Sequence, residues 1–199
     1  MAKFNPPLLI VFEGIDGSGK TTVSKMLFDH MKSKNLPVIW LREPSDSKWG
    51  KKIRELSKIK THIPLEEELN FFIEDRKHNV SRHIIPALNR NESVILDRYY
   101  YSTACYQGAR GMDIAEIIQM NCKFAPEPDI TFIIDVPVTT ALDRIKKNRN
   151  SREKLFERKS FLEEVRRNYL SLSGDKIHVV DGDREIKSVF EQIILVLDL

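Results

Sequence analysis

The strongest constraint on this chain is a glycine-rich segment placed between an apolar run and a helical pattern. Residues 8–13 read LLIVFE, and they are followed at once by Gly14-Ile15-Asp16-Gly17-Ser18-Gly19-Lys20-Thr21-Thr22, which matches G-x-x-x-x-G-K-[ST]. Glycines let the backbone turn tightly and aim its N–H groups at phosphate oxygens, and a helix starting near Lys20 adds its positive N-terminal end. Strand, loop and helix in this order predict a phosphate-binding loop, or P-loop.

The same loop predicts where a nucleotide and its metal ion bind. Residues 14–22 are expected to bind ATP, with Lys20 reaching the β- and γ-phosphates and the Thr21 hydroxyl ligating Mg²⁺. A second apolar run, at 94–96, ends in Asp97. Ligands of open parallel sheets bind outside the carboxyl ends of strands, so Asp97 is the other expected Mg²⁺ ligand, directly or through water. The alternative is an acid that merely favours a turn.

The distribution of apolar runs predicts the fold. Further runs lie at residues 38–41, 130–134 and 177–180, and segments of helical periodicity separate them. Nearly continuous apolar runs are typical of strands buried on both faces. Their alternation with helices predicts an α/β fold, a five-stranded parallel sheet flanked by helices on both faces. No boundary is visible, so residues 1–199 are expected to form a single domain.

Charge and cysteine content narrow the classes of partner. The net charge is only +3, with 31% of residues charged. This mild basic excess suits a small anionic ligand and is too weak to predict nucleic-acid binding. The apolar run at 8–12 is too short for a membrane span or a signal sequence. Cys105 and Cys122 are too few for a disulfide scaffold and match no zinc site, so a cytoplasmic protein is expected.

Three motifs, taken together, resemble the thymidylate kinases in their bacterial form. They are FEGIDGSGKTT at the P-loop, REP at 42–44 and DRYYYSTACYQG at 97–108, of which the last is far more specific than the P-loop. The resemblance runs from residue 9 to about residue 189. It implies a P-loop NTPase fold of the nucleoside monophosphate kinase type with a short lid. It also implies ATP- and Mg²⁺-dependent transfer of the γ-phosphoryl group to dTMP, giving dTDP and ADP, a step in dTTP synthesis.

The resemblance further implies roles around the acceptor dTMP. Asp16 would contact the 3′-hydroxyl of the sugar, and Arg42 would bind the dTMP phosphate. Arg98 would bridge the donor and acceptor phosphates. Phe72 would stack on thymine while Arg76 hydrogen-bonds the edge of the base. The nucleoside side of the pocket would be lined by Ser102, Thr103, Tyr106 and Gln107, with the tyrosine crowding the 2′ position and favouring deoxyribose.

The spacing of Phe72 and Arg76 is compatible with that role. Residues four apart lie on one face of a helix, so an aromatic ring and a guanidinium there can together stack on and read a planar base. Periodicity alone leaves the alternative that Phe72 belongs to the core and Arg76 is a solvated charge.

A basic segment at residues 146–159, KKNRNSREKLFERK, is the candidate lid. Phosphoryl transfer brings two anions together and therefore needs cations around them. Some thymidylate kinases carry a basic side chain inside the P-loop, whereas this chain has Gly17 and Ser18 there. Arg149 and Arg152 are expected to supply the charge, acting with Lys20, Arg98 and Asp16. The alternatives are Arg144, Arg158 or a merely solvated loop.

The chain departs from the family pattern after REP, where two glycines and a threonine are usual. Here the residues are Ser45, Asp46 and Ser47, which puts the backbone near Arg42 in question. The resemblance also implies a homodimer built on helices at one side of the fold. The loop at Gly182, after the last strand, is expected to pack against adenine.

The sequence is also compatible with other functions of a P-loop protein. A deoxynucleoside kinase shares the P-loop and a DR motif but would not need Arg42, and another nucleoside monophosphate kinase would differ in only a few pocket residues. A GTPase would usually carry N-K-x-D, which is absent from the sequence. A regulatory ATP-binding module would be expected to lack Lys20, Asp97 or Arg98.

Overall fold

Five parallel strands form the centre of the molecule, in the order β2-β3-β1-β4-β5. The computed structural model describes residues 7–57, 63–146 and 152–199. The strands are β1 (Leu9–Glu13), β2 (Val38–Arg42), β3 (Ser93–Asp97), β4 (Ile130–Asp135) and β5 (Ile177–Asp181). The predicted parallel sheet is confirmed, and each predicted run falls within one strand or a residue of its ends.

Helices follow the strands as right-handed crossovers require. In the described part of the chain they are α1 (Lys20–Ser33), α2 (Lys48–Leu56), α3 (Leu65–Asn79), α4 (Ile85–Asn89), α5 (Tyr100–Gly108), α6 (Ile114–Cys122), α7 (Val138–Lys146), α8 (Arg152–Ser171) and α9 (Ile186–Leu197). Among these residues, no helix has the length and apolar character needed to cross a membrane.

The two faces of β1 pack into two different hydrophobic clusters. Ile10 and Phe12 join the cluster of α1 and α9, whereas Leu9 and Val11 join the cluster that contains Val80 and the start of α4. Successive side chains of a strand point to opposite faces, so this split shows helices covering both faces of the sheet. Continuous burial along β1 and β3 follows from the same double cover.

Sequence periodicity predicts one helix over residues 65–88, and the structure divides this segment. Between α3 and α4 lies one wide π-helical turn, Val80–Ile84. Pro86 is the second residue after this turn; it has no N–H to donate, and in a regular α-helix its ring conflicts with the carbonyl four residues earlier. The wide turn removes that conflict while the chain continues in nearly the same direction.

Strand order fixes where a ligand can bind. From β1 the chain passes beyond β3 to β2 and returns to β3, and then crosses to the other side of β1 for β4 and β5. The change of direction opens a crevice at the carboxyl ends of β1, β3 and β4, where ligands of open α/β sheets bind. Glu13, Asp97 and Asp135 are the last residues of those strands.

Candidate active site

The P-loop connects the buried end of β1 to α1, and its backbone requires glycine. Gly14, Gly17 and Gly19 have φ of 138°, 84° and 98°, values that residues with a side chain rarely adopt. Gly17 also lies against α7, where a β-carbon would collide with the carbonyl oxygen of Ala141. Helix α1 begins directly at Lys20 without a side-chain cap, so its first amide groups are directed at the loop.

Lys20 is held beneath this loop with only 6% of its surface exposed. Its Nζ donates to the carbonyl oxygen of Ile15 at 3.1 Å. Burial, and after it the nearby charge of Arg98, lower the pKa of Lys20 to about 7, against the opposing effect of the carboxylates of Asp16 and Asp97. A bound polyphosphate would add negative charge and favour the protonated amine.

Thr21 and Asp97 meet at the ends of α1 and β3. The Thr21 Oγ1 donates to Asp97 Oδ2 at 2.5 Å, so the two expected metal ligands lie side by side. The other carboxylate oxygen, Asp97 Oδ1, is buried and accepts no hydrogen bond from any described residue. A buried carboxylate oxygen without a donor, next to a hydroxyl, is chemistry that suits a hard cation such as Mg²⁺.

Arg98 joins the P-loop to helix α5. Its backbone is in the left-handed region, with φ of 75°, although it is not glycine. One guanidinium nitrogen, Nη2, donates to Asp16 Oδ1 at 2.5 Å, and the other, Nη1, donates to Ser102 Oγ at 2.8 Å. The guanidinium also lies 5.1 Å from the centre of the Tyr106 ring. A strained backbone persists where its surroundings enforce it, and such positions cluster at active sites.

A cavity of about 420 Å³ opens beside Arg98. We call it the acceptor cavity. All nine residues expected to bind dTMP line this one cavity: Asp16, Arg42, Phe72, Arg76, Arg98, Ser102, Thr103, Tyr106 and Gln107. The volume lies in the range usual for small-molecule sites, and its walls combine aromatic rings with arginines.

Arg76 is fixed at the floor of the acceptor cavity, with 1% of its surface exposed. The guanidinium forms an ion pair with Glu43 at 2.7 Å, and it donates to Asn121 Oδ1 at 2.7 Å and to Thr103 Oγ1 at 3.0 Å. It is therefore not the solvated charge that periodicity alone allowed. Burial raises the pKa of Glu43, and the charge of Arg76 opposes that shift. A guanidinium held on several sides is preorganised.

Phe72 and Tyr106 supply aromatic walls. Both are half-buried and line the cavity, so Phe72 is not a fully enclosed core residue. The Tyr106 hydroxyl accepts from the backbone N–H of Asp16 at 3.0 Å, which links α5 to the P-loop. Ser102 lines the cavity too, but its hydroxyl is engaged by Glu13 and Arg98.

Six cavity residues escaped the sequence analysis: Ile53, Arg54, Ser57, Glu68, Arg110 and Phe161. Glu68 was detectable, because it precedes Phe72 by one helical turn and so shares its face. Arg110 pairs with Glu68 at 2.5 Å across the rim of the cavity. Arg54 belongs to α2, a helix that the sequence analysis did not single out, and Phe161 comes from α8.

The departure after REP is accommodated by a buried acid. Asp75 accepts from the backbone N–H of Ser45 at 2.7 Å, from the Ser45 hydroxyl at 2.5 Å and from the Ser47 hydroxyl at 2.6 Å. Ser47 also caps α2 by accepting from the amides of Trp49 and Gly50. The loop that follows Arg42 is thus held by side chains; Arg42 itself lies at the exposed rim, 3.7 Å from Asp97.

The expected lid arginines lie outside the part of the chain whose side chains are described. Arg149 falls between α7 and α8, and Arg152 begins α8; the side chain of Arg158 is likewise outside that part. Arg144, a weaker candidate, is described in α7. It donates to the carbonyl oxygens of Ser18 at 3.2 Å and Gly182 at 3.1 Å. It therefore links the P-loop to the loop expected to contact adenine.

Comparison with known proteins agrees with this geometry. The family model described as Thymidylate kinase matches residues 12–193. The chain is 41% identical to the thymidylate kinase of Desulfotalea psychrophila, over 96% of this chain and 94% of that one. It is 40% identical to the probable thymidylate kinase of Archaeoglobus fulgidus, over 96% and 95%. The crystal structure of thymidylate kinase from Ehrlichia chaffeensis is similar with a TM-score of 0.78 at 31% identity, covering 96% of this chain and all of that one.

Proposed function

The chain belongs to the thymidylate kinase family, and from that premise we propose that it transfers the γ-phosphoryl group of ATP to dTMP, giving ADP and dTDP for dTTP synthesis. One observation supports placing this reaction at the P-loop and the acceptor cavity. The ion pair between Asp16 of the P-loop and Arg98 joins the phosphate-binding loop directly to a cavity of nucleotide size.

The P-loop residues, 14–22, bind the triphosphate in this proposal. Backbone amides at the start of α1 hydrogen-bond the phosphate oxygens, and the protonated amine of Lys20 neutralises the β- and γ-phosphates. Lys20 is already desolvated, so its charge acts with little screening by water. Arg98 completes the arrangement, because it borders both the P-loop and the acceptor cavity.

The acceptor cavity binds dTMP between aromatic and cationic groups. Phe72 stacks on thymine, and Arg76 and Gln107 hydrogen-bond the edge of the base. Arg42 and Arg98 hold the monophosphate, which favours a monophosphate over a nucleoside as acceptor. Asp16 and Tyr106 contact the sugar, with Ser102 and Thr103 behind them. Holding acceptor and donor in line, together with electrostatic stabilisation by these cations, is the main contribution a protein makes to phosphoryl transfer.

Mg²⁺ fits the pair formed by Thr21 and Asp97, whose free carboxylate oxygen and adjacent hydroxyl would hold it. The ion supplies neutralisation of phosphate charge when it is bound. Arg149 and Arg152, in the lid proposed at residues 146–159 of a single domain, supply further positive charge at the transferred group.

Assembly and location are also proposals. Leu69 and Ile73 of α3 form a cluster with Ile117 of α6, beside a groove that Met112 and Met120 also line. An apolar groove on two helices suits a two-fold contact, and we propose a homodimer built on them. The free thiols Cys105 and Cys122 suit the reducing cytoplasm, and no binding to nucleic acid or membranes is expected.

The test measures ADP release with ATP and Mg²⁺ and a panel of acceptors: dTMP, dUMP, dCMP, dGMP, UMP, AMP and thymidine. A strong preference for dTMP is expected. Turnover with thymidine would indicate a nucleoside kinase, and a preference for another monophosphate would indicate a different kinase specificity. Lys20→Ala should abolish transfer while the protein stays folded by circular dichroism. Near-normal turnover in that variant would refute the P-loop assignment.

A further inference from the structure

Glu13, the last residue of β1, is fully buried and lies just before the P-loop. It is not among the residues that line the acceptor cavity. Its carboxyl group nevertheless receives four hydrogen bonds, which is unusual for an acid with no ion pair in direct contact among the described residues. Buried carboxyl groups are costly unless their oxygens are fully used, so this arrangement calls for a function.

Two of these hydrogen bonds come from the start of helix α5. Glu13 Oε1 accepts from the backbone N–H of Tyr99 at 2.9 Å and from that of Ser102 at 3.0 Å. The residue at the N-cap position, Tyr99, offers no side-chain cap of its own. A carboxylate from a neighbouring strand thus takes the place of the cap and interacts with the positive end of the helix.

The bond from Tyr99 fixes the backbone immediately after a strained residue. Arg98 precedes Tyr99 and has φ of 75°. Its own N–H donates to the carbonyl oxygen of Phe12 at 2.9 Å, immediately before Glu13. The left-handed turn is therefore held between β1 and the Glu13 carboxyl, which offsets its conformational cost.

The remaining bonds lead to the Arg98 guanidinium. Glu13 Oε2 accepts from the Ser102 hydroxyl and from the Tyr169 hydroxyl, the latter at 3.1 Å. Because the Ser102 hydroxyl proton is directed at Glu13, the lone pairs of Ser102 Oγ can accept from Arg98. Arg98 Nη1 donates to this oxygen at 2.8 Å. The other side of the guanidinium meets Asp16, whose side chain is half exposed. The buried side is therefore the fixed one.

We propose that Glu13 is a positioning residue for phosphoryl transfer, which sets the backbone turn and, through Ser102, the guanidinium orientation of Arg98. It touches neither nucleotide in this scheme. The inference rests on the proposed function, because Arg98 matters only if it bridges two phosphorylated ligands.

Glu13→Gln is the most informative change, since it keeps the shape and one acceptor oxygen. The remaining glutamine oxygen keeps the two backbone N–H groups at the start of α5. The new NH₂ group then stands where Oε2 accepted from the hydroxyls of Ser102 and Tyr169. The Ser102 hydroxyl must then turn away from its present direction, which changes what it offers to Arg98. We expect kcat to fall about 10- to 100-fold, the range for a lost hydrogen bond to a charged group. The dissociation constant for ATP should stay within about twofold, as no nucleotide contact is removed.

The decisive measurement is a double-mutant cycle with Arg98→Ala. If Glu13 acts through Arg98, Glu13→Gln lowers kcat in the wild-type background but barely lowers it further in Arg98→Ala. Tyr169→Phe is the matched control: it removes the hydroxyl that donates to the same Glu13 oxygen and lies 2.9 Å from Ser102 Oγ, leaves the Ser102–Arg98 bond, and should change kcat by no more than about threefold.

Wild-type turnover with the acceptor panel comes first, so that failure of the proposed function is recognised separately. An unchanged kcat in folded Glu13→Gln overturns the inference, and so does an equal loss in both backgrounds, which would indicate a general effect on the fold. If Glu13→Gln does not fold, Ser102→Ala replaces it in the cycle, because it cuts the same connection and leaves both amide bonds. Full activity in that variant would overturn the inference as well.

Discussion

At the scale of single residues, the site is defined by charges that burial has already desolvated. Lys20, Arg76 and Glu13 are nearly inaccessible, and each is held by hydrogen bonds within the protein. Burying such groups costs free energy in the empty protein, and for Lys20 that cost is recovered when an anionic polyphosphate binds beside it. The expected consequence is that ligand binding and proton binding are linked.

Lys20 makes this linkage measurable. Its pKa is lowered to about 7, so at pH 8 roughly nine tenths of the free protein carries a neutral amine. A bound triphosphate favours the charged form and raises that pKa, so ATP binding at pH 8 should take up close to one proton. ATP affinity should therefore fall as pH rises above 7, by at most about tenfold per pH unit.

Calorimetric titration with ATP at pH 8, in two buffers of different ionisation enthalpy, tests this directly. The apparent binding enthalpy should differ between the buffers by nearly the full difference in their ionisation enthalpies. Lys20→Arg, with a side chain that stays charged, is the control and should remove most of the difference. Equal enthalpies for the wild-type protein would show that Lys20 is already protonated before ATP binds.

Phe72 gives a second prediction at this scale. Phe72→Ala removes a half-buried ring from the wall of the acceptor cavity, so dTMP binding should weaken by about 10- to 100-fold, a loss of roughly 1–3 kcal/mol for stacking on a base. ATP binding should change by less than about threefold. The neighbouring Phe71, which stacks on Trp49 instead, is a matched control, because Phe71→Ala should leave both affinities nearly unchanged. Equal losses for dTMP and ATP would assign Phe72 to the core.

At the scale of elements, the sequence predicted what depends on local pattern. Five apolar runs predicted the strands, and the glycine pattern predicted the P-loop. The break between α3 and α4 is a local response to Pro86, and the sequence did not reveal it because the periodicity continues across it. Asp75 was missed for a different reason: its partners, Ser45 and Ser47, are distant in sequence, so no pattern within α3 indicates them.

The same limit applies to the candidate site. Family motifs brought together nine residues that line one cavity, whereas Arg54 and Arg110 reach that cavity, and Glu13 reaches Arg98, through contacts between elements. The sequence shows Glu13 only as the last residue of a strand, because its partners near α5 and α8 are more than 80 residues away along the chain.

Asp75→Asn tests how far the loop after REP depends on its buried acid. Asparagine offers one acceptor oxygen where three donors now converge, so one serine must lose its partner. We expect a loss of about 1–3 kcal/mol in the free energy of unfolding and a higher KM for dTMP, with the KM for ATP little changed. Asp46→Asn is the matched control, since that carboxylate is fully exposed and should matter little. If the two variants behave alike in urea titrations and in kinetics, the loop does not depend on Asp75.

At the scale of the whole molecule, the two expected ligand sites share one sheet edge and one set of bridging residues. Arg98 borders the acceptor cavity and the P-loop, and Arg144 joins the P-loop to the loop at Gly182. Either nucleotide should therefore stabilise the entire fold. A ligand at 100 times its dissociation constant adds about 2.7 kcal/mol, and for a chain of this size that corresponds to a rise of roughly 5–11 °C in Tm.

Thermal unfolding with each nucleotide alone and with both measures this effect. In Lys20→Ala, dTMP should still raise the Tm and ATP should hardly raise it, which distinguishes binding at the acceptor cavity from binding at the P-loop. If ATP raises the Tm of the wild-type protein and dTMP does not, the acceptor cavity is not the dTMP site.

The contact between Gly17 and Ala141 has a consequence for how this enzyme can change over evolutionary time. Its P-loop cannot gain a basic side chain at residue 17 by one substitution, because the backbone there is left-handed and the α7 carbonyl occupies the space a β-carbon would need. A basic side chain at residue 17 would therefore require α7 to move away as well, so two changes would have to occur together at that position. The expected consequence is that residue 17 stays a glycine for as long as Ala141 of α7 lies against it.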